Sequence, residues 1–323
     1  MSLKPKGVRD GMQKSSSIYI AGPRGLVGSN LMRLFKERGF TNIIAPTRSE
    51  LELLDQRAVE RFFETERPEY VIVSAAKVGG ILFNNQYQAD FLYENVALAA
   101  NVIHAAHRSG VKKLLFLGSS CIYPRQATQP IREDSLLSGP LEPTNEGYAL
   151  AKIVGLKLCE KYRQQYGCNF ISAMPTNLYG PGDNFHPDHS HVIPGMMRRF
   201  HEAKISSAPQ VTIWGSGSPM REFLFITDLV EALLALMERY EEAGTINVGT
   251  GVDVSISELA ALMKEVVGFE GQIVYDRSKP DGMMRKVLDV SRINAMGWNA
   301  RVSLREGLER TYAWALETGA LAS

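Results

Sequence analysis

Cysteine is scarce in this sequence: its 323 residues contain three, Cys121, Cys159 and Cys168. An odd number without the paired spacing of a zinc site argues against a disulfide framework and against a structural metal. We therefore expect free thiols, as in a reducing cytoplasm. The first sixteen residues are polar and lack the apolar stretch of a secretory signal, so we expect residues 1–16 to form a flexible extension.

Excess charge and long apolar runs are missing as well. Lys and Arg total 36 against 35 for Asp and Glu, which leaves a formal net charge of +1. This balance gives no electrostatic reason to expect a nucleic-acid or anionic-membrane partner. No apolar run approaches the roughly 20 residues that cross a bilayer. The composition, 45% apolar, is that of a globular chain of one large or two modest domains.

Short apolar runs alternate with helical patterns in the first half of the chain. The strand-like runs lie at 17–21, 70–75, 113–120 and 169–174, and the helical patterns at about 26–38, 85–108 and 146–166. This alternation predicts an α/β fold, a doubly wound Rossmann-like parallel sheet with helices on both faces.

The texture changes after Met174, where the chain becomes irregular and rich in Pro, Gly, Asn and His. We therefore expect a smaller, partly interleaved C-terminal substrate domain. The expected boundaries are 17–178 plus about 223–250 for the dinucleotide-binding domain, and about 179–222 plus 251–323 for the substrate domain.

The pattern AGPRGLVGS follows the first strand and opens the first helix. Glycines there permit a tight turn and close backbone approach, and the amides of a helix N-terminus can bind a pyrophosphate. The spacing is G-x-x-G-x-x-G, and its strand–turn–helix context predicts a dinucleotide site. The residues of this turn are Gly22, Pro23, Arg24, Gly25, Leu26, Val27 and Gly28.

Arginine stands where an NAD site would carry an acidic residue. That residue is expected about 20 positions after the glycine turn, and position 48 is Arg48. Arg24 lies in the turn itself. Because guanidinium groups form bidentate bonds to phosphate, the pair favours the 2′-phosphate of NADP(H). The alternative is that both arginines are solvated and Glu50 binds the ribose.

Tyr148 and Lys152 are four residues apart in GYALAK, on one face of a predicted helix. An ammonium beside a phenol lowers the pKa of the phenol and makes it a usable proton donor or acceptor. Ser119 follows the fourth strand, where its hydroxyl could orient the reacting oxygen. These residue types predict a site that transfers a proton to or from a substrate oxygen.

Taken together, these residues resemble the extended short-chain dehydrogenase/reductases and, within them, the GDP-L-fucose synthase family. The match runs from about Ser17 to the C-terminus. The shared segments are AKVGGI (76–81), SSCIYP (119–124), EPTNEGYALAK (142–152), MPTNLYGPGDNFHP (174–187), SHVIP (190–194), WGSGSPMREF (214–223) and SKPDG (278–282).

The resemblance implies epimerisation of GDP-4-keto-6-deoxy-D-mannose at sugar carbons 3 and 5, followed by NADPH-dependent reduction of the 4-keto group to give GDP-L-fucose. It also implies a cytoplasmic homodimer, paired through the helices around 85–108 and 146–166. The cofactor contacts it implies beyond the glycine turn and Arg48 are Leu117, Gly118, Ser119, Ser120, Lys152, Pro175, Thr176, Asn177, Leu178 and His191.

Cys121 and His191 are the candidate acid and base for the epimerisation. Cys121 follows Ser119 by two residues at the carboxyl end of a strand, and a nearby cation would lower the pKa of its thiol. By resemblance His191, in SHVIP, is its partner, and which of the two is the base stays open. His186, His189 and His191 lack a second ligand cluster, so no metal is expected.

By resemblance, the nucleotide end of the substrate would contact Arg199, Trp214, Arg221 and Asp281. Indole offers a flat face to a base or sugar, and Arg221 can neutralise a pyrophosphate. Arg198 competes with Arg199, and Trp214 could instead pack in the core. The competing functions are another nucleotide-sugar 4-epimerase or 4-keto reductase, and a non-catalytic dinucleotide-sensing module.

Overall fold

The structure is a computed structural model that describes residues 11–187, 189–279 and 281–322. In chain order its first elements are β1 (Ile18–Ala21), α1 (Leu26–Glu37), β2 (Ile43–Ile44), α2 (Gln56–Glu66), β3 (Tyr70–Val73), α3 (Ile81–Gln86), α4 (Gln88–Arg108), β4 (Lys113–Leu117), α5 (Glu146–Tyr166) and β5 (Phe170–Pro175). Short 3-10 helices at Ser120–Ile122, Glu133–Ser135 and Pro143–Asn145 lie between β4 and α5.

The later elements alternate less regularly. They are β6 (Asn177–Tyr179), α6 (Val192–Ile205), β7 (Gln210–Trp214), β8 (Met220–Phe225), α7 (Ile226–Arg239), β9 (Thr245–Val248), β10 (Asp253–Ser255), α8 (Ile256–Val267), β11 (Gln272–Asp276), β12 (Arg285–Lys286), α9 (Ser291–Ala295) and α10 (Leu304–Glu317).

Six strands form a parallel sheet in the order β2-β1-β3-β4-β5-β9. Strand β2 lies on one side of β1 and β3 lies on the other, so the direction in which successive strands are added to the sheet reverses at β1. Ligands of such sheets bind beyond the carboxyl ends of the strands at this reversal. The predicted doubly wound parallel sheet is confirmed.

Strand β1 shows why its run of apolar residues is unbroken. Ile18 and Ile20 pack into one hydrophobic core, whereas Tyr19 and Ala21 pack into the core on the opposite face of the sheet. Helices α1 and α7 cover the first face, and α2 and α4 cover the second. Because both faces of the sheet are buried, the residues that point to either face must be apolar.

A separate hydrophobic core lies in the C-terminal part of the chain. Helices α6, α8 and α10 pack there around residues of β7 and β8. Strand β8 pairs with β6, β10 and β12, and β7 pairs with β11. Leu224 of β8 faces the core of the large sheet while its neighbours Phe223 and Phe225 face this second core, so β8 joins the two.

One local expectation is wrong. The sequence predicts one helix over about 85–108, but α3 and α4 are separate because Tyr87, with φ −120° and ψ 38°, leaves helical geometry. Residues 11–16, expected to belong to a flexible extension, contact the segment between α1 and β2: Lys14 Nζ lies 4.0 Å from the Phe40 ring centroid and Thr41 N donates to Lys14 O. Residues 1–10 of that extension lie outside the described residues.

Within the described part of the chain, no helix combines the length and the apolar character needed to cross a bilayer.

Candidate active site

The glycine turn lies between β1 and α1, at the carboxyl edge of the sheet. Gly22 has a φ of +83°, and a Cβ there would lie 2.8 Å from Ala75 Cα, just beyond β3. A Cβ at Gly28 would lie 2.0 Å from the carbonyl oxygen of Gly22. Gly25 precedes α1 without a side-chain cap, so the first amides of α1 stay available to an anion. The turn therefore fits the pyrophosphate of a dinucleotide.

Two arginines flank a recess beside this turn. The recess has a volume of about 490 Å³ and is lined by Gly22, Pro23, Arg24, Gly25, Thr47, Arg48 and Ser49. Arg48 Nε donates to Glu52 Oε2 at 2.7 Å, but the Arg48 side chain is 74% exposed. An ion pair this exposed contributes about 0–1 kcal/mol, so Arg48 can exchange its partner for a bound phosphate at little cost.

Glu50, the alternative ribose ligand, is already bonded within its own turn. Its Oε2 accepts hydrogen bonds from Thr47 N at 2.7 Å and from Thr47 Oγ1 at 2.8 Å. These bonds lower the pKa of Glu50. Binding ribose hydroxyls through Glu50 would require breaking them, which favours the arginines as the groups that recognise the adenosine end.

The segment after β4 brings the next predicted residues to the same edge. Gly118 N donates to Ala173 O at 2.8 Å, and a Cβ on Gly118 would lie 2.3 Å from Met174 Sδ, so β4 and β5 approach closely here. Ser119 then caps the 3-10 helix that follows, because its Oγ accepts from Cys121 N at 3.3 Å. Cys121 is consequently held four residues beyond the end of β4.

The residues predicted after β5 hold the two sheets together at this edge. Thr176 N donates to Val248 O at 3.1 Å, while Thr176 Oγ1 and Asn177 Nδ2 both donate to Glu222 O. Pro175 ends β5 and Leu178 lies in β6. The segment 175–178 thus runs from the parallel sheet to β8.

Helix α5 places Tyr148 and Lys152 beside the end of β4. Lys152 is buried, and its Nζ donates to Leu117 O at 2.8 Å and lies 5.7 Å from the Tyr148 ring centroid. Burial lowers the pKa of Lys152 to about 8. The i,i+4 spacing predicted from the sequence is therefore realised on one helix face.

The expected effect of Lys152 on Tyr148 is not what the structure shows. Burial raises the pKa of Tyr148, and the nearby Cys121 raises it further. The physical reason is that the Lys152 ammonium is bonded to a backbone carbonyl and is itself desolvated, so it does little to stabilise a phenolate. In this state of the protein Tyr148 is a proton donor rather than a base.

Cys121 sits in a buried environment with a cation that sequence reasoning missed. Contrary to the expectation of a lowered value, burial raises the pKa of its thiol, and Lys286, a hydrogen bond from Ser119 and Lys152 offset only part of that rise. Among these, Lys286 has the largest lowering effect. It lies on β12, and the only sequence signal for it was its position four residues after the shared segment SKPDG.

His191 directly precedes α6, and its loop reaches Tyr148 through a series of ring contacts. The His189 ring lies 4.5 Å from Phe83, Phe83 lies 5.4 Å from Phe91, and Phe91 meets Tyr148 edge-on at 6.3 Å. The His191 side chain is exposed, and partial desolvation lowers its pKa. The ring contacts above run from its loop neighbour His189, not from His191 itself.

His186 and His189 stack on each other with ring centroids 4.4 Å apart. Across the residues that the structure describes, no three His, Cys, Asp or Glu side chains are grouped so that they could hold a metal ion.

The two arginine candidates on α6 differ in their partners. Arg198 pairs with Glu202 at 2.7 Å and donates to Phe185 O, so it is used within the fold. Arg199 is exposed, and its contacts are the carbonyl oxygens of Gly195 and Thr212. Since carbonyl contacts do not neutralise a guanidinium, Arg199 is the better candidate for an anionic ligand.

Arg221, Trp214 and Asp281 lie around the strands β7, β8 and β12. Burial lowers the pKa of Arg221, whose Nη1 donates to Met220 O. Trp214 is 56% exposed, which excludes the core-packing alternative. Asp281 Oδ1 accepts from Ser216 N at 2.6 Å, so part of its carboxylate holds the turn after Trp214 rather than remaining free for a ligand.

Comparison with known proteins agrees with this geometry. The NAD dependent epimerase/dehydratase family model matches residues 18–249. "GDP-L-fucose synthase 1" of Arabidopsis thaliana is 57% identical, over 94% of this chain and 94% of that protein. "GDP-L-fucose synthase" of Escherichia coli K12 is 55% identical, over 93% of this chain and 96% of that protein. The chain belongs to the GDP-L-fucose synthase family.

A solved structure extends the likeness to the cofactor. The GDP-mannoheptose C4 reductase MlghC from Campylobacter jejuni, determined with NADP bound, is 38% identical, covers 95% of this chain and 100% of its own, and superposes with a TM-score of 0.87. The glycine turn, α1 and the two arginines described above are thus set in a fold known to hold this dinucleotide.

Proposed function

We propose that this protein of the GDP-L-fucose synthase family epimerises GDP-4-keto-6-deoxy-D-mannose at carbons 3 and 5 and then reduces the 4-keto group with NADPH, giving GDP-L-fucose. The observation that carries the proposal is that Ser119, Cys121, Tyr148 and Lys152 meet at the carboxyl end of β4. There Lys152 Nζ bonds to Leu117 O at 2.8 Å and lies 5.7 Å from the Tyr148 ring centroid, and Ser119 Oγ accepts from Cys121 N at 3.3 Å.

The residues around the glycine turn fit NADP(H). Gly22 and Gly28 leave no space for a Cβ, the start of α1 offers its amides to the pyrophosphate, and Arg24 and Arg48 flank the recess where a 2′-phosphate would lie. When bound, the cofactor supplies the hydride. The protein's own side chains supply the binding energy, the orientation and the protons.

Epimerisation uses the acidity of hydrogens beside a ketone. Removal of the proton at carbon 3 or 5 leaves electrons that the 4-keto oxygen can accept, and return of a proton to the opposite face inverts the centre. Two groups on different walls of the site are required. Cys121, on the segment after β4, and His191, before α6, are our candidates for this pair.

Reduction needs a proton for the carbon-4 oxygen. Tyr148 suits this role because burial raises the pKa of its phenol, so the proton is present at neutral pH. Ser119 can donate a hydrogen bond to the same oxygen, and Lys152 holds α5 in register with the end of β4 through Leu117. In this proposal Tyr148 is the proton donor, Ser119 orients the oxygen, and Lys152 has a structural role.

The nucleotide end would lie against the C-terminal part of the chain. Trp214 presents an exposed indole, and Lys279 Nζ lies 5.6 Å from its ring centroid. Arg199 and Arg221 have carbonyl contacts rather than carboxylate contacts among their hydrogen bonds, which suits them to a pyrophosphate. Asp281 orders the Trp214 turn and can still offer its second oxygen to a hydroxyl.

The domain assignment proposed from the sequence is supported in part by the separate cores. Leu224 of β8 and residues of α7 and β9 pack in the core of the large sheet, while α6, α8 and α10 build the second core. Leu288, Val290, Ile293 and Trp298, expected in the substrate domain, pack in the core of the large sheet. We also propose a homodimer that pairs through α4 and α5, where the apolar side chains Tyr93, Leu150 and Val154 are exposed. A cytoplasmic location is proposed on the free state of all three cysteines.

A second candidate is a 4-keto reductase that does not epimerise, which the likeness to a GDP-mannoheptose C4 reductase favours. A redox-neutral 4-epimerase and a dinucleotide sensor are less well supported by the site. Cys121 beside Tyr148 favours the bifunctional enzyme, because reduction alone requires no thiol at that position.

One experiment separates these functions. The purified protein is mixed in deuterium oxide with NADPH and GDP-4-keto-6-deoxy-D-mannose, and NADPH absorbance and the product's NMR spectrum are recorded. We expect NADPH consumption and deuterium at carbons 3 and 5 of GDP-L-fucose. Consumption without deuterium would identify a simple reductase, and deuterium without consumption would identify an epimerase. If neither occurs, the enzyme assignment is wrong.

A further inference from the structure

The turn that leads into α3 is folded back on itself. Asn84 is 7% exposed, and its Nδ2 donates to Gly79 O at 2.6 Å and to Gly80 O at 3.2 Å. A Cβ at Gly79 would lie 2.5 Å from Phe83 Cδ1, so the Phe83 ring packs directly against the glycine backbone. Residues 79–84 therefore form a compact surface between β3 and α4.

The backbone that precedes His191 lies on this surface. Gly80 N donates to His189 O at 3.2 Å. A Cβ at Gly80 would lie 2.8 Å from Ser190 O, which is a backbone atom and cannot rotate away. Because only a residue without a side chain permits this approach, the two segments are held in close contact at Gly80.

Ring packing holds the side chain of His189 in the same contact. Its ring centroid lies 4.5 Å from that of Phe83 and 4.4 Å from that of His186, on which it stacks. Its Nδ1 is buried and has no hydrogen-bond partner among the described residues. Since a buried polar atom without a partner costs stability, we infer that His189 contributes here through its ring and not through Nδ1.

His191 takes its position from these neighbours. Its own side chain is exposed and does not cap helix α6, which follows it. On the far side Gly195 N donates to His191 O at 3.0 Å, in the first turn of α6. The backbone of His191 is thus fixed by His189 and Ser190 before it and by α6 after it, and the direction of its Cβ follows from that backbone.

We propose that His189 is a positioning residue for His191. Its ring, packed on Phe83, keeps the carbonyl groups of His189 and Ser190 against Gly80, and this sets where the His191 imidazole meets the sugar. The inference rests on the proposed function and deepens it, because a ring contact outside the reacting groups then places one member of the epimerising pair. His189 itself transfers no proton.

The test follows epimerisation without reduction. The full-length protein is mixed with GDP-4-keto-6-deoxy-D-mannose and NADP+ in deuterium oxide, and NMR gives the kcat and KM of exchange at carbons 3 and 5. The variants are His189→Ala, His189→Phe as the replacement that keeps a ring, Phe83→Ala, and the double variant of His189→Ala with Phe83→Ala. Leu82→Ala is the matched control, because Leu82 adjoins Phe83 but is 61% exposed.

For His189→Ala we expect the kcat of exchange to fall by about 10- to 100-fold with little change in KM, because a misplacement near 1 Å costs up to about 10²-fold. Phe83→Ala should lose as much, and the double variant no more, since substitutions at one contact are not additive. His189→Phe and Leu82→Ala should both retain the exchange rate of wild type.

Thermal melts show whether each variant is folded. Exchange at the wild-type rate in folded His189→Ala protein would overturn the proposal. A loss in His189→Phe as large as that in His189→Ala would show that the imidazole itself is required, which also contradicts it. A raised KM with unchanged kcat, or an equal loss in Leu82→Ala, would indicate a general structural effect and would count against it as well.

A measurement without substrate separates this inference from the proposed function. Amide hydrogen exchange is followed at Gly80, whose N–H donates to His189 O. We expect faster amide exchange in His189→Ala and Phe83→Ala, and wild-type protection in His189→Phe and Leu82→Ala. If wild type incorporates no deuterium into the sugar and oxidises no NADPH, the proposed function fails. Unchanged protection of Gly80 in His189→Ala would instead overturn the role of His189, whatever reaction the protein catalyses.

Discussion

Lys152 Nζ and the carbonyl oxygen of Leu117 are joined by a buried hydrogen bond of 2.8 Å. Leu117 is the last residue of β4, and Lys152 lies on the second turn of α5. The bond therefore sets the helix that carries Tyr148 against the strand end from which Ser119 and Cys121 follow. This contact brings together two parts of the chain that are 35 residues apart in sequence.

Three substitutions should separate the two half-reactions. Cys121→Ser and His191→Gln should abolish deuterium incorporation at carbons 3 and 5, because each removes one member of the proton-transferring pair. Tyr148→Phe should leave that incorporation in place and slow NADPH oxidation by about 10²- to 10⁴-fold, as for loss of a general acid. NMR of the product measures deuterium incorporation, and single-turnover absorbance measures NADPH oxidation. Full deuterium incorporation in all three variants would refute the acid/base assignment.

Arg48→Glu should raise the KM for NADPH by roughly 10- to 100-fold, because it replaces a charge-assisted bond to phosphate with repulsion. The KM for NADH, which lacks the 2′-phosphate, should change far less. Glu52→Gln is the matched control: it removes the exposed partner of Arg48 and should leave the KM for NADPH equal or lower. Steady-state kinetics with both cofactors checks this, and equal changes for NADH and NADPH would count against a phosphate contact.

Gly28→Ala should destabilise the protein and weaken NADPH binding. The added Cβ would lie 2.0 Å from Gly22 O, and overpacking of this kind costs about 1–3 kcal/mol of unfolding free energy or more. Gly25→Ala tests whether space rather than glycine itself matters, since its Cβ would lie 3.7 Å from the same oxygen. Denaturant unfolding and NADPH titration should show a large effect only for Gly28.

Asp183→Asn should change how stability depends on pH. Burial raises the pKa of Asp183 to about 7. An acid whose pKa is higher in the folded state favours folding when protonated, so its contribution is present below the pKa of the unfolded chain, near 4, and is lost as pH rises through about 7. The Tm of the Asn variant minus that of wild type should therefore increase as the pH rises from 4 to 7. This difference should be larger at pH 8 than at pH 4.

Glu64→Gln, on the exposed surface of α2, is the control for that series. Its Tm difference from wild type should stay constant over the same pH range. A constant difference for Asp183→Asn as well would show that the Asp183 carboxyl is not desolvated as the structure indicates.

Much of the fold was readable from local pattern. The glycine turn, the Tyr148–Lys152 spacing and the alternation of apolar runs are properties of short stretches, so helix geometry and strand pleating carry them directly into space. Family resemblance added Cys121 and His191. By contrast, nothing local to position 222 indicates that its carboxylate is buried and accepts hydrogen bonds from Thr250 N, Gly251 N and Leu288 N. These bonds depend on β8 and β12 pairing across 65 residues of chain, between Arg221 and Lys286.

The direction of the pKa shift at Tyr148 is a second property that local sequence pattern could not predict. Sequence determined that a phenol and an ammonium share one helix face, and that pairing predicts a lowered pKa of Tyr148. Only the tertiary structure decided which carbonyl the ammonium bonds to and how much water both groups lose. Because desolvation acts on a charge through everything that surrounds it, it cannot be read from the spacing of two residues, and here it reverses the expected shift.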